Sequence, residues 1–256
     1  MVRTMGAHPT LGTMTARYDR IGRTYATTRQ PDPRIAARID VALGSARTVV
    51  NVGAGTGSYE PFPARKVVAV EPSAVMIAQR PPGSAPVVQA TAEALPFPDG
   101  AFDAALAVLT IHHWSDVEAG VAELHRVAGR IVVFTFDADA QRRYWLFDEY
   151  LPDVADIELQ CTITPARLAE LLGGAAVTAV PISRDCTDGF MCAWWRRPAA
   201  YLDPHVRAGI STLASLDATD GLRALEADLR TGAWHERHVD LLTLDELECG
   251  YRLIVI

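Results

Sequence analysis

The chain has 256 residues, a length that suits one α/β domain better than two. Hydrophobic residues make up 49% of it and charged residues 21%, a balance that excludes a disordered or fibrous chain. A formal net charge of −7 argues against a broad phosphate-binding surface, so nucleic acid is not an expected partner.

The apolar runs fall well short of the roughly 20 residues that span a bilayer. The first residues also lack the apolar stretch of a secretory signal, so the expectation is a cytoplasmic protein that does not engage a membrane. Cys161, Cys186, Cys192 and Cys249 show neither CxxC spacing nor a histidine partner suited to zinc. Reduced thiols and no metal are expected.

In chain order, residues 1–16 carry no apolar period and read as a loose start. Residues 16–43 turn helical, with Pro31 and Pro33 ending one helix and beginning another, in a position to cover a site. Residues 48–52 and 66–70 read as buried strands, the second followed by a helix over 73–79. A short strand at 86–89, a proline-punctuated stretch to Asp103, a strand over 104–110 and a helix over 117–128 lead to the strongest strand signal, 130–137. This alternation predicts a parallel sheet. Beyond it come helices over 142–151 and 165–172, a sixth strand over 176–182, a mainly helical stretch including 221–230, and a closing strand over 251–256.

The first strand runs into Asn51-Val52-Gly53-Ala54-Gly55-Thr56-Gly57, glycines placed where the chain must turn sharply and let a ligand approach its backbone. Alone, such a turn also serves purely structural ends. Glu71, at the end of the second strand, strengthens the binding reading, because a carboxylate there can accept hydrogen bonds from two ribose hydroxyls. The dinucleotide fingerprint differs by one position, with Ser58 in its last place, so the turn and the acid leave the nucleoside cofactor open.

The segment from Ala92-Glu93-Ala94-Leu95-Pro96-Phe97 through Pro98-Asp99-Gly100-Ala101-Phe102-Asp103 resembles the stretch after the third strand of class I S-adenosylmethionine-dependent methyltransferases, especially the small-molecule group with ubiquinone- and sugar-methylating members. His112-His113-Trp114 after the fourth strand fits the same pattern. The resemblance runs over about residues 18–137. It implies a doubly wound α/β fold: a seven-stranded, mostly parallel sheet whose last strand is antiparallel and lies between the fifth and sixth. It also implies an N-terminal helical lid and a helical insert between strands six and seven. One domain over 1–256 would then comprise a lid (1–46), a cofactor half (47–137) and a substrate half (138–256) with its insert at 186–250.

Carried over residue by residue, the resemblance places Gly53, Ala54, Gly55 and Gly57 beside the methionine and ribose of S-adenosylmethionine, with Glu71 on the ribose. Pro72 and Met76 would flank the adenine, Thr91, Ala92 and Glu93 would lie near its edge, and Leu109 and Thr110 would come from the fourth strand. Tyr25 and Arg29, with Tyr18 and Asp19, resemble the lid segment that closes over the sulfonium. Two positions depart from the pattern: Asn51 and Thr91 stand where the family usually carries acids.

Methyl transfer needs alignment more than acid–base chemistry. His112 and His113 sit at the carboxyl edge of the sheet, where imidazole suits proton abstraction, and Asp137 holds the place of an acid that works with such a pair in related enzymes. The competing reading has one histidine packed on the sheet and the other beside a helix capped by Ser115 or Asp116. Asp185 and Asp188 read as a polar turn, Trp194 and Trp195 as core, and His235 with His238 lacks a third metal ligand. The expected function is methyl transfer from S-adenosylmethionine to an oxygen or nitrogen of a small molecule, by a monomer or homodimer. The rivals are a protein that binds the cofactor without transferring its methyl group and an NAD-dependent oxidoreductase.

Overall fold

The computed structural model describes residues 29–61, 64–160 and 162–256. Asp32 opens the first helix, α1 (Pro33–Leu43): its carboxylate accepts from the Arg34 amide, and Pro33 fills a position whose N–H would have had no helical partner. The earlier part of the helical reading over 16–43, with Tyr18, Asp19 and Tyr25, lies outside the described residues, as does Cys161.

Apolar, largely β-branched runs then make β1 (Thr48–Val52), β2 (Lys66–Val70) and β3 (Val87–Val88), with the short helix α2 (Ala74–Ala78) after β2. β4 (Phe102–Val108) and β5 (Ala128–Phe136) are joined by a 3-10 turn (Ile111–His113) and α3 (Val117–Val127). These five strands lie parallel in the order β3-β2-β1-β4-β5. After β5 come the one-turn helix α4 (Ala138–Gln141), a π-helical turn (Leu146–Tyr150), α5 (Pro152–Gln160), α6 (Pro165–Leu171) and β6 (Ala176–Ala179). The stretch from β6 to the last strand holds α7 (Pro204–Ala208), α8 (Ser211–Ser215), α9 (Thr219–Thr231) and α10 (Ala233–Arg237), plus a small antiparallel pair, β7 (Ile182–Ser183) with β8 (Glu246–Leu247). β9 (Tyr251–Val255) then enters antiparallel between β5 and β6 and completes a seven-stranded sheet.

Strand periodicity sorts the core. On β5, Val132, Phe134 and Phe136 face one side with Leu106, Leu253 and Ile39, whereas Ile131 and Val133 face the other with Ala105, Ile254 and Leu124. Truncating a ring such as that of Phe134, which is fully buried, costs about 3–5 kcal/mol in this setting.

Three sequence readings need correction. The helix expected over 142–151 is confined to the π-helical turn at Leu146–Tyr150, because α4, started by Asp137, already ends at Gln141 and a turn separates the two. The strand expected over 176–182 ends at Ala179, and Ile182 belongs to the separate β7 pair. The third strand shrinks from four residues to two. Among the described residues no helix is long and apolar enough to cross a membrane.

Candidate functional site

Three glycines shape the turn after β1. Gly53, Gly55 and Gly57 have φ of +71°, +54° and +92°, a region in which a side chain is strained. At Gly53 the constraint is also steric, since an added Cβ would stand 1.9 Å from Thr110 Oγ1. The Gly53 and Ala54 amides both donate to the Val70 carbonyl, tying the turn to the end of β2. There Glu71 spreads its carboxylate between two amides: Gly55 N donates to Oε2 at 2.8 Å and Ser73 N to Oε1 at 2.9 Å. The side chain is buried, and burial raises its pKa against the opposing pull of those two amides and Arg80.

The acid missing at residue 51 is supplied from another point of the chain. Asn51 Nδ2 donates to Glu60 Oε1 at 3.4 Å, and Glu60 forms a buried ion pair with Arg80 at 2.6 Å. Arg80 also donates to the Gly55 and Ala85 carbonyls, so the pair braces the glycine turn from below. Asn51 Oδ1 is buried and has no hydrogen-bond partner among the described residues. Met76 is buried with its Cε close to Gly55, and the Pro72 carbonyl accepts from Gln89 Nε2.

Glu93, expected near an adenine edge, is engaged with the protein itself. Its Oε1 accepts from Ser115 N, Ser115 Oγ and Asp116 N. Burial alone would raise this carboxyl's pKa, but these bonds, with those from its own amide and Thr91, hold it below the usual carboxylate range. Ala92 is buried and Thr91 exposed. The proline-punctuated segment around them is held by Arg126, which reaches the Leu95 and Phe97 carbonyls and Asp99. Trp114 packs against α3, where a Cβ on Gly120 would meet its ring at 2.4 Å.

The end of β4 serves two neighbours. Thr110 packs against the glycine turn, while Leu109, His112 and His113 line a half-open pocket whose atom-free space, open solvent included, is about 480 Å³. The two imidazole centroids are 3.7 Å apart, and His112 meets Phe136 edge-on at 4.9 Å. Phe136, Phe147, Phe190 and Tyr251 give the pocket aromatic walls, and Gln141, Ser211 and Thr212 add polar groups.

Asp137 does not join the histidines in that wall. It caps α4, with Oδ1 accepting from the Asp139 and Ala140 amides, and Oδ2 lies 3.8 Å from Arg252. An acid at a strand end and an acid at a helix start look alike in sequence, and here the four-residue helix claims it.

Arg29 lines the pocket, and its Nε donates to Asp188 Oδ1 at 2.6 Å. Asp188, read above as part of a plain turn, is fully buried, and its Oδ2 also accepts from the Tyr59 hydroxyl at 2.9 Å. Asp185 alone fits the turn reading: it is exposed and paired with Arg34. Trp195 is core, donating to the Ile182 carbonyl, and Arg197 sits over the Trp194 ring at 4.3 Å. His238 meets Glu149 at 2.9 Å, and among the described residues no group of three or more potential ligands is arranged for a metal.

Chemically, the arrangement offers a glycine cradle with a fixed carboxylate on one side of residues 109–113 and an aromatic pocket with two imidazoles on the other. Comparison with known proteins bears on what the cradle holds. Residues 50–132 match the family model described as a methyltransferase domain. A solved structure of a proposed methyltransferase from an antibiotic biosynthesis pathway of Anabaena variabilis is 34% identical, over 89% of this chain and 98% of that one, with a TM-score of 0.83. The demethylmenaquinone methyltransferase of Thermus thermophilus is 34% identical over 113 residues, 38% of this chain and 51% of that protein, so about half of that relative's length is covered. A Haemonchus contortus phosphoethanolamine N-methyltransferase, solved with S-adenosyl-L-methionine, shares the fold at 11% identity and a TM-score of 0.58, over 96% of this chain and 60% of that one.

Proposed function

The chain belongs to the class I S-adenosylmethionine-dependent methyltransferases, and from that premise we propose that it methylates an oxygen or nitrogen of a small molecule bound beside His112 and His113. The observation that carries this reading is the double contact of residues 109–113, which touch the glycine cradle through Thr110 and line the aromatic pocket through Leu109 and the histidines. A cofactor in the cradle and an acceptor in the pocket would therefore be separated by one short backbone segment, the proximity that an in-line displacement requires.

The residues present fit the cofactor. Positive-φ glycines at 53, 55 and 57 leave the backbone uncovered, Glu71 is fixed for ribose hydroxyls, and the buried, unpartnered Asn51 Oδ1 is an acceptor suited to an ammonium group. Ala54, Pro72, Met76, Thr91 and Ala92 complete the proposed cradle, Leu109 and Thr110 close it from β4, and Arg29 borders it from the pocket side. Glu93 would act on it indirectly, by fixing the loop at Ser115 and Asp116. When bound, S-adenosylmethionine supplies a methyl carbon on a sulfonium, whose carbon–sulfur bond breaks with the electron pair left on sulfur as the bond to the acceptor forms.

The chain's own residues orient the acceptor and exclude water: the aromatic walls hold it, and an imidazole nitrogen of His112 or His113 takes the proton of its hydroxyl. In this assignment Asp137 acts on structure rather than chemistry, by starting α4. Separate His112→Gln and His113→Gln variants test the base. Product formation should fall by about 10²- to 10⁴-fold in one of them with cofactor affinity retained. If neither variant changes turnover, the base assignment fails. Calorimetric titration that finds NAD bound and S-adenosylmethionine unbound would remove the whole reading.

A further inference from the structure

Gln141 is a pocket group that methyl transfer as such leaves without a task. It ends α4, the helix started by Asp137, and its amide donates to the Asp137 carbonyl at 2.9 Å. Gly250, at φ +91°, lets this helix press against the chain just before β9: a Cβ there would lie 2.8 Å from the Asp137 carbonyl oxygen and 3.0 Å from Gln141 Cγ. The residue is thus held through its backbone in α4 and through its Cγ against Gly250. It is only 4% exposed and it lines the pocket, yet no acceptor meets Nε2 with hydrogen-bond geometry among the described residues, although the Tyr251 phenol is close enough to be affected by it.

A buried amide donor without an acceptor is unfavourable unless something completes it. The rest of the pocket narrows what that something is. Phe136, Phe147, Phe190 and Tyr251 line the pocket with aromatic side chains, which suit a flat apolar ring and give few hydrogen bonds to a polyol. Arg29 brings a formal positive charge, but Asp188 neutralises it at 2.6 Å, so an acceptor's own carboxylate would find no uncompensated cation there. We infer that the acceptor is a flat, neutral aromatic ring that carries, besides the hydroxyl receiving the methyl group, a second oxygen that accepts a hydrogen bond from Gln141 Nε2. This rests on the methyl-transfer reading for the first oxygen, but the role of Gln141 is a matter of binding. As the new carbon–oxygen bond forms, the hydroxyl proton passes to the histidine pair and the Gln141 contact is unchanged.

The test uses matched rings: the three hydroxyacetophenones, each against the ethylphenol that lacks its carbonyl oxygen, with aniline and methyl glucoside as other acceptor classes. Dissociation constants are measured on the full chain by quenching of its tryptophan fluorescence, and kcat/KM by formation of S-adenosylhomocysteine. At least one hydroxyacetophenone should bind about 10- to 100-fold more tightly than its ethylphenol. In Gln141→Leu that ratio should collapse toward one. Gln141→Glu, which puts an acceptor in place of the donor, should reverse it, and it serves where the leucine variant does not fold by circular dichroism. The inference is overturned if no matched pair differs in the wild-type chain, if the ratio survives in the variants, or if methyl glucoside or aniline outperforms every phenol. Failure of methyl transfer itself shows separately, as absence of S-adenosylhomocysteine with every acceptor while the binding ratio still reports on Gln141.

Discussion

Replacing Gly53 by alanine sets the close packing of cradle and β4 against two distinct penalties. At φ +71° a side chain sits in the left-handed region, which costs about 1–2 kcal/mol. The new Cβ would also lie 1.9 Å from Thr110 Oγ1, 2.7 Å from its Cβ and 2.9 Å from its Cγ2. Thr110 is 8% exposed and leads directly into the histidine turn, so it has little room to retreat, and overpacking of this kind costs about 1–3 kcal/mol. The sum is about 2–5 kcal/mol, which for a chain of this size lowers Tm by roughly 5–20 °C. Urea unfolding and thermal melts measure it, and calorimetry should show weakened S-adenosylmethionine binding. Pairing the change with Thr110→Ala removes Oγ1 and Cγ2, leaves the 2.7 Å contact and leaves φ untouched. The double variant should therefore recover only about 1–2 kcal/mol relative to additivity. A Gly53→Ala protein within about 0.5 kcal/mol of wild type, or strictly additive effects, would refute the argument.

Asp188→Asn removes the charge that faces the Arg29 guanidinium and should destabilise the fold by about 3–5 kcal/mol in urea, with an Arg29→Met/Asp188→Leu pair recovering much of it; a loss under 1 kcal/mol would contradict a buried ion pair here. Asp32 is buried, which would raise its pKa, but hydrogen bonds from Arg34 and the Thr187 amide prevail and lower it from 3.8 to about 2. Because its folded pKa is depressed, its stabilisation is present above pH 3.8 and lost as pH falls toward 2, so Asp32→Asn should cost about 2 kcal/mol near neutrality and the difference should vanish in acid titrations. The Glu71 pKa is raised by burial above 4.5, so its charged form fills only as pH climbs past that value. S-adenosylmethionine affinity should therefore rise with pH from about 4.5 until the raised pKa is passed, and calorimetry across that range should find Glu71→Gln weaker and flat. The sign for stability is opposite: folding favours the protonated acid, so this group's contribution declines as pH rises through the same window.

The central strands were legible because each is covered on both faces, which writes a continuous run of Val, Ile and Ala into the chain. The glycine turn was legible for a related reason, since positive φ and the Thr110 contact demand glycine in a way that few other features demand one residue type. What escaped was long-range polar pairing. Arg29 and Asp188 are 159 positions apart, and an Asp-Gly pair such as Asp188-Gly189 looks like any surface turn until its carboxylate is seen to be buried. Glu60 and Arg80 escaped likewise, though the neutral Asn51 was a signal that a charge had to reach the turn from elsewhere. Asp137 was ambiguous because α4 is four residues long, too short for any apolar period to announce a helix that needs a cap.

That short helix shows how position and chemistry are divided at the carboxyl edge of the sheet. β4 is followed by Leu109, which has φ +49°, a conformation that costs about 1–3 kcal/mol for a side chain of its kind and is held here by the hydrogen bond its amide donates to the Phe134 carbonyl at 2.7 Å. The strained residue turns the chain so that Thr110 meets the glycine turn while the next turn carries both histidines to the pocket. β5 ends in Phe136, which lines the pocket, and Asp137 after it starts the helix that brings Gln141 to its wall. Two adjacent parallel strands thus contribute the proposed reactive pair and the proposed recognition group through turns of fixed length. One added residue in either turn would separate imidazole from amide without disturbing the sheet, so acceptor choice should be sensitive to the lengths of these two turns, whereas cofactor affinity, on the proposed assignment, should respond to changes in the turns after β1 and β2.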